Sequence, residues 1–193
     1  MNVMGLFCPL FIYLGLKVFS SRLVALLMGM ALVGNFLVQN RRVNHMCLLI
    51  PFSIILLIYL AVALLNSSII IIYLPFLISA SFLISFSYSL LYPPNAIEVF
   101  ASMLVQDLST EEIAYCRRIT LIWVLFFMLN GMMAFYTACC TSFGIWSLYN
   151  GLIAYVVMGI LFVVELSYRS WRFRRYPGLP TDFIFKKLFP PKA

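Results

Sequence analysis

The chain has 193 residues, 64% of them apolar and 10% charged, with a formal net charge of +7 and a mean hydropathy of +1.05, where ordinary soluble domains carry roughly 25% charged residues. Thirteen Lys and Arg, six Asp and Glu and one His are too few to cover a water-soluble domain of this length, which excludes a soluble globule and points to lipid as the solvent of the apolar surface. At about 20 residues per crossing helix, five or six crossings use most of the chain and leave no room for a separate catalytic domain outside the membrane.

Apolar runs bounded by charged or polar clusters fall at Met4–Leu16, Leu23–Val38, Met46–Leu65, Ser68–Leu91, Ile119–Cys140 and Ile145–Leu166. The last four are long enough to cross a bilayer; the first two are short, so each is a thin crossing, an interfacial segment or an arm of a re-entrant pair. The runs lack the dyad alternation of barrel strands. The expected fold class is therefore all-α, a polytopic integral membrane protein with six transmembrane helices, five being the alternative. Residues 1–169 form one transmembrane domain, with the 92–118 loop on the cytoplasmic side, and residues 170–193 form a basic tail.

Orientation follows from the cations in the short connections. With both termini inside, eleven of the thirteen Lys and Arg are cytoplasmic, among them Arg41, Arg42, Arg117 and Arg118, and only Lys17 and Arg22 lie outside. The first run lacks a basic n-region and the first 16 residues lack Arg, so neither a cleaved signal nor a transit peptide is expected. The bacterial inner membrane is the expected location.

Pro51 and Pro75 interrupt the third and fourth runs and predict kinks; Pro93 and Pro94 after Tyr92 predict a firm helix end. The five cysteines, Cys8, Cys47, Cys116, Cys139 and Cys140, show no C-x-x-C and no partnering histidine, so they read as small apolar residues rather than metal ligands. His45 follows Arg41 and Arg42 and reads as a headgroup contact, with a proton relay as the alternative.

Between Tyr92 and Arg118 lie Glu98, Asp107, Glu111 and Glu112. Ile97, Phe100, Met103, Leu104 and Leu108 recur at helical spacing, which predicts an amphipathic helix over Ala96–Leu108 lying on the inner face. Ser109 or Thr110 is the expected N-cap of the fifth helix, with Glu111 and Glu112 in its first turn, so that this helix begins before it enters the membrane.

Asn130 and Asn150, each followed by glycine, lie inside the last two runs. A polar side chain in hydrocarbon needs a partner, so these read as packing contacts between helices, a substrate contact being the alternative. Thr120, Trp123, Phe127, Asn130 and Ala134 share one face, expected to meet the sixth helix. Glu165 lies near the inner end of the last run, where Arg169 one turn on and Arg118 are its expected partners; with Arg117, this cluster reads as an ion pair at the membrane border, a lipid-contact site for an anionic headgroup being the alternative. Beyond it, Arg172, Arg174, Arg175, Lys186 and Lys187 are interleaved with Trp171, Phe173, Tyr176, Phe183, Phe185 and Phe189. That composition predicts a headgroup-binding tail on an anionic inner leaflet, and no nucleic-acid binding.

No H-x-x-x-x-D, G-x-S-x-G, H-E-x-x-H, P-loop or dinucleotide fingerprint occurs, and one histidine with few intramembrane acids offers little acid–base chemistry. No catalytic residue, cofactor or metal is expected.

Tyr115, Cys116, Arg117, Arg118, Thr120, Trp123, Phe126, Phe127, Asn130, Gly131 and Tyr136, then Trp146, Tyr149, Asn150, Gly151, Tyr155, Gly159, Glu165 and Arg169, with Tyr92, Pro93 and Pro94 upstream, form a pattern over residues 92–169. It resembles a family of uncharacterised bacterial inner-membrane proteins encoded among fatty-acid-synthase-like genes, including clusters for aryl polyene pigments. More distantly, Trp123, Phe126 and Phe127 and the opening PLFIYLGLK are similar to the intracellular septation protein A family. The first resemblance implies an accessory or scaffold role in a cell-envelope lipid or aryl polyene pathway, with acyl-carrier or acyltransferase machinery as partners. A small lipid or polyene carrier is the alternative it implies, and a cryptic membrane enzyme the least favoured.

Overall fold

A computed structural model of the chain describes residues 46–65, 68–105, 107–176, 182–188 and 190. The runs Met4–Leu16 and Leu23–Val38, with Lys17, Arg22, Arg41, Arg42 and His45, lie outside the described residues. Within them the chain is all-helical, without a strand. Helix α1 (Met46–Leu65) and α2 (Ser68–Leu91) pair as neighbours, α3 (Ala96–Leu104) is short, α4 (Thr110–Cys140) is long, and α5 (Phe143–Phe173) runs through a wide π turn at Tyr149–Ile153. A short α6 (Asp182–Leu188) follows.

Among the described residues, three helices are long and apolar enough to cross a membrane: Ile72–Leu91 within α2, α4, and α5. The 31 residues of α4 span about 46 Å at 1.5 Å per residue, more than the ~30 Å of hydrocarbon, so at least one end projects beyond it. Its first turn matches the sequence expectation. The Ser109 side chain accepts from the Glu112 amide, and the Glu112 side chain accepts from the Ser109 amide, a reciprocal capping box.

The core is the antiparallel seam of α2 and α4. Phe86, Trp123 and Phe127 form its aromatic centre with Ala96 against them; Phe82 stacks on Phe127 at 5.1 Å and Phe86 meets the same ring edge-on at 5.2 Å. The face Thr120–Trp123–Phe127–Asn130–Ala134 is thus turned inward, but it packs against α2, not against the last helix as its spacing suggested. The reason is the serine content of α2: Ser79, Ser81, Ser85 and Ser89 are all buried. Ser81 and Ser89 satisfy their hydroxyls on carbonyls of their own helix. Small residues let two helices come close, which is how helices associate where no water is available to drive them together. At Gly131 a Cβ would sit 3.5 Å from the Ser79 Cβ, so the two helices approach closely there.

Pro51 and Pro75 lie inside α1 and α2 as expected, and α2 ends at Leu91, just before Pro93 and Pro94. The loop helix departs from expectation. It stops at Leu104, where Val105 turns extended and Asp107 takes φ 60°, instead of reaching Leu108. Its inward face is Ala96, Val99 and Ala101, while Phe100 and Met103 are exposed. The cause lies at its start: Asn95 and Glu98 form a second capping box. The amides of Ala96 and Ile97 also donate to Ser89 Oγ and Thr120 Oγ1, at 3.0 and 3.3 Å. The N-terminus of α3 is thereby bound to both seam helices, and the face this presents to them decides what is buried.

The last helix also runs further than its apolar run. It continues from Leu166 to Phe173, with Arg169 and Arg172 on it, and closes on Arg174 in the left-handed region at φ 54°. The antiparallel order of α2, α4 and α5 collects Arg117, Arg118, Arg169, Arg172, Arg174 and Arg175 at the end that also carries α3, while the turn at 141–142 bears no charge.

Candidate functional site

Two polar clusters hold α5 against the seam. In the apolar middle, Asn130 is a bridge among three helices: its Nδ2 donates to Ser79 Oγ of α2 at 2.9 Å, and its Oδ1 accepts from the Tyr149 hydroxyl of α5 at 3.1 Å. Asn150 is buried in the π turn; its Nδ2 donates to Thr137 Oγ1 at 3.1 Å and to the carbonyl of Trp146 at 2.9 Å. The Thr137 hydroxyl in turn donates a hydrogen bond to the Ala134 carbonyl. Both asparagines therefore stand between helices, and the partners, Ser79, Tyr149 and Thr137, were not identifiable from spacing. The Asn150 Oδ1 is buried with no partner among the described residues.

Trp146 adds a contact that sequence reasoning missed. Pro75 has no amide proton to give the preceding turn of α2, and one residue along that turn the Ile72 carbonyl accepts from Trp146 Nε1 at 2.9 Å. The indole is stacked on Phe143, with centroids 5.4 Å apart. A tryptophan opposite an intrahelical proline is the signal that would have suggested the pairing.

The second cluster lies at the arginine end. Glu165 Oε1 accepts from Arg169 Nε at 2.9 Å, as the one-turn spacing predicted. Arg118, the other expected partner, is instead exposed, as is Arg117. Helical geometry is the reason: Cys116 is the α4 residue turned toward α5, and Arg117 and Arg118 follow it at about 100° and 200° around the axis. The Cys116 thiol takes the contact, accepting from Arg169 Nη2 at 3.3 Å. The guanidinium also lies over the Tyr115 ring, 5.7 Å from its centroid. Tyr115 in turn stacks on Tyr168 at 5.6 Å and meets Phe173 at 5.4 Å, leaving its hydroxyl buried and without a partner among the described residues.

The tail arginines meet the loop acids. Arg172 lies 3.8 Å from Glu111 and Arg175 3.4 Å from Glu112. Arg175 Nη1 also donates to the Asp107 carbonyl at 2.9 Å. Arg174 reaches back to the carbonyl of Trp171 and forward to that of Pro190, both at 2.9 Å. Lys187 is exposed, and the side chain of Lys186 lies outside the described residues. Arg172 and Arg175 reach these acids because Glu111 and Glu112 project from the first turn of α4 beside the end of α5, and both arginines remain partly exposed.

Between α3 and the start of α4 lies an open surface recess of about 440 Å³, lined by Pro94, Glu98, Ser102, Val105, Asp107, Leu108 and Ile113. Among the described residues no cluster of His, Cys, Asp and Glu has the arrangement to hold a metal ion. Cys116 is buried, while Cys139 and Cys140 are exposed near the opposite end, with Cys139 Sγ 3.3 Å from the Tyr73 hydroxyl. Three apolar helices long enough to cross a bilayer, with every described cation at one end, are the features of a membrane protein. No family model, no curated protein and no solved structure matches the chain.

Proposed function

We propose that the chain is a multi-pass inner-membrane accessory or scaffold protein of a cell-envelope lipid or aryl polyene pathway, and that it is not itself an enzyme. In this reading it has six crossings, with both termini and the arginine end in the cytoplasm, where positive residues are retained. The observation that carries it is the construction of that end. The capped loop helix, the first turn of α4 and the tail are tied to one another by Asn95, Thr120, Glu112 and Arg175, which makes a fixed surface beside the membrane. Asn130 and Asn150, by contrast, are engaged between helices. A fixed surface suits docking of acyl-carrier or acyltransferase machinery, and the exposed Arg117 and Arg118 beside it suit an anionic leaflet.

One observation favours the second reading, a small lipid or polyene carrier. π turns recur at functional sites, and the one here holds the buried Asn150 Oδ1, an acceptor without a partner among the described residues.

Extraction into native-lipid nanodiscs followed by mass spectrometry of bound lipid and protein separates the two. Co-purifying acyl-carrier or acyltransferase proteins without a selected lipid support the scaffold. A selected acyl or polyene lipid, lost in Asn130→Leu or Glu165→Ala while the protein still inserts, supports the carrier and overturns the scaffold. Neither partner nor selected lipid overturns both.

A further inference from the structure

The acidic residues of this basic chain are unevenly matched. Glu111 meets Arg172, Glu112 meets Arg175 and Glu165 meets Arg169. The carboxylates of Glu98 and Asp107 form no ion pair among the described residues, Arg175 meeting Asp107 only at its backbone carbonyl, and both line the recess between α3 and α4. Glu98 uses one carboxylate oxygen on the Asn95 cap; the Asp107 side chain is exposed. Pro94, Val105, Leu108 and Ile113 give this open recess apolar walls beside its polar groups. Its chemical complement is a short segment carrying an apolar side chain beside a cation.

Such a segment stands at the same end of the molecule. On α6, Phe183 is 81% exposed and Leu188 62%, and Lys187, one turn beyond Phe183, is exposed with them. The helix is held at the arginine end by the Tyr176 hydroxyl on the Phe185 carbonyl and by Arg174 on the Pro190 carbonyl, and none of its residues lines the recess of its own chain. We propose that α6 of one copy docks in the Glu98–Asp107 recess of a second copy, placing Lys187 between the two carboxylates and Phe183 or Leu188 against the apolar walls. Recess and helix lie on the same side of the membrane, so two copies standing side by side exchange tails reciprocally about a two-fold axis along the membrane normal. The inference is independent of the pathway reading above.

Two variants preserve the fold while removing the charges. In Glu98→Gln the glutamine retains the reciprocal cap on Asn95, and in Asp107→Asn the asparagine tolerates the left-handed backbone. The full chain, purified in mild detergent and sized by light scattering across a dilution series, is expected to be a dimer. The double variant Glu98→Gln/Asp107→Asn and the single variant Lys187→Glu are each expected to raise the dissociation midpoint at least tenfold. Carbodiimide coupling of an equal mixture of ¹⁴N- and ¹⁵N-labelled wild-type chains is expected to give mixed-isotope Lys187–Asp107 or Lys187–Glu98 cross-links. A monomeric wild type, a Lys187→Glu protein that dimerises like wild type, or cross-links confined to single-isotope pairs would each overturn the proposal. Loss of dimer in the recess variant alone also overturns it, and assigns the recess to a different cation.

Discussion

Two contacts of α4 differ in kind. Toward α2 it presents Gly131, Ala134 and a row of aromatic rings to buried serines, and the two helices lie close along their length. Toward α5 it offers chiefly hydrogen bonds and ring contacts at two levels: Asn130 and Thr137 in the middle, Cys116 and Tyr115 at the arginine end. Between those levels only Met158 and Leu161 of α5 pack against the aromatic cluster, while Val156, Val157, Ile160 and Val163 stay exposed. In lipid, exposure of an aliphatic side chain carries no penalty, so a helix can be held by a few polar points and a narrow apolar contact. The first contact depends on shape, the second on donors and acceptors, and substitutions should separate them.

The largest effect is expected at the seam. Gly131→Leu must separate α2 from α4 and should cost about 1–3 kcal/mol, read as a lowered unfolding midpoint in detergent, whereas Gly131→Ala adds a Cβ at ordinary contact distance and should be close to neutral. Equal loss in both would mean the seam is not limited by volume. Thr120 is 0% exposed and joins α3 to α4 through the Asn95 side chain and the Ile97 amide. Thr120→Val keeps the shape and strands those partners, for about 1–3 kcal/mol. Because the damage is local, cysteine labelling at Ser102→Cys should accelerate more than labelling at Ser147→Cys.

Changes at the α5 contacts should be smaller. Asn130→Leu removes bonds to two helices, and with intramembrane hydrogen bonds averaging about 0.6 kcal/mol and reaching about 1.7, a loss of about 1 kcal/mol is expected, with Tyr149 becoming more accessible to iodination. If Asn130→Leu instead destabilised the protein as much as Gly131→Leu, the distinction between the two contacts would fail. Trp146→Phe retains the stack on Phe143 and loses only the Ile72 carbonyl, about 0.6 kcal/mol, measurable in the same unfolding assay. Arg172→Gln should be smallest, below about 0.5 kcal/mol, since Arg172 and Glu111 are largely exposed and 3.8 Å apart; raising the salt concentration should erase the difference.

What spacing revealed is instructive residue by residue. The helix starting at Ser109, the inward face of α4 and the Glu165–Arg169 pair were legible, because each depends on residues three or four apart on one helix. The partner of that face was not, since periodicity says which side is buried but not against what. For the same reason Cys116, rather than Arg118, was not foreseen beneath Arg169. Asn95-x-x-Glu98 after two prolines is a capping signature, and it, rather than the apolar spacing of the loop, sets which face of α3 is buried.

By itself the sequence determined the helical class, the membrane as solvent, the helix starts and stops that Ser109 and Pro93 impose, and the collection of arginines at one end. These follow from local geometry and from the transfer of side chains into lipid, which act on each segment separately. Only the tertiary structure decided that α2 rather than α5 fills the inward face of α4. It also decided that Asn130 joins three helices, that the tail arginines meet the loop acids, and that Glu98 and Asp107 are left facing one recess. Those outcomes depend on how closely two backbones can approach and on which donor finds which acceptor, and both are properties of pairs of segments far apart in the chain.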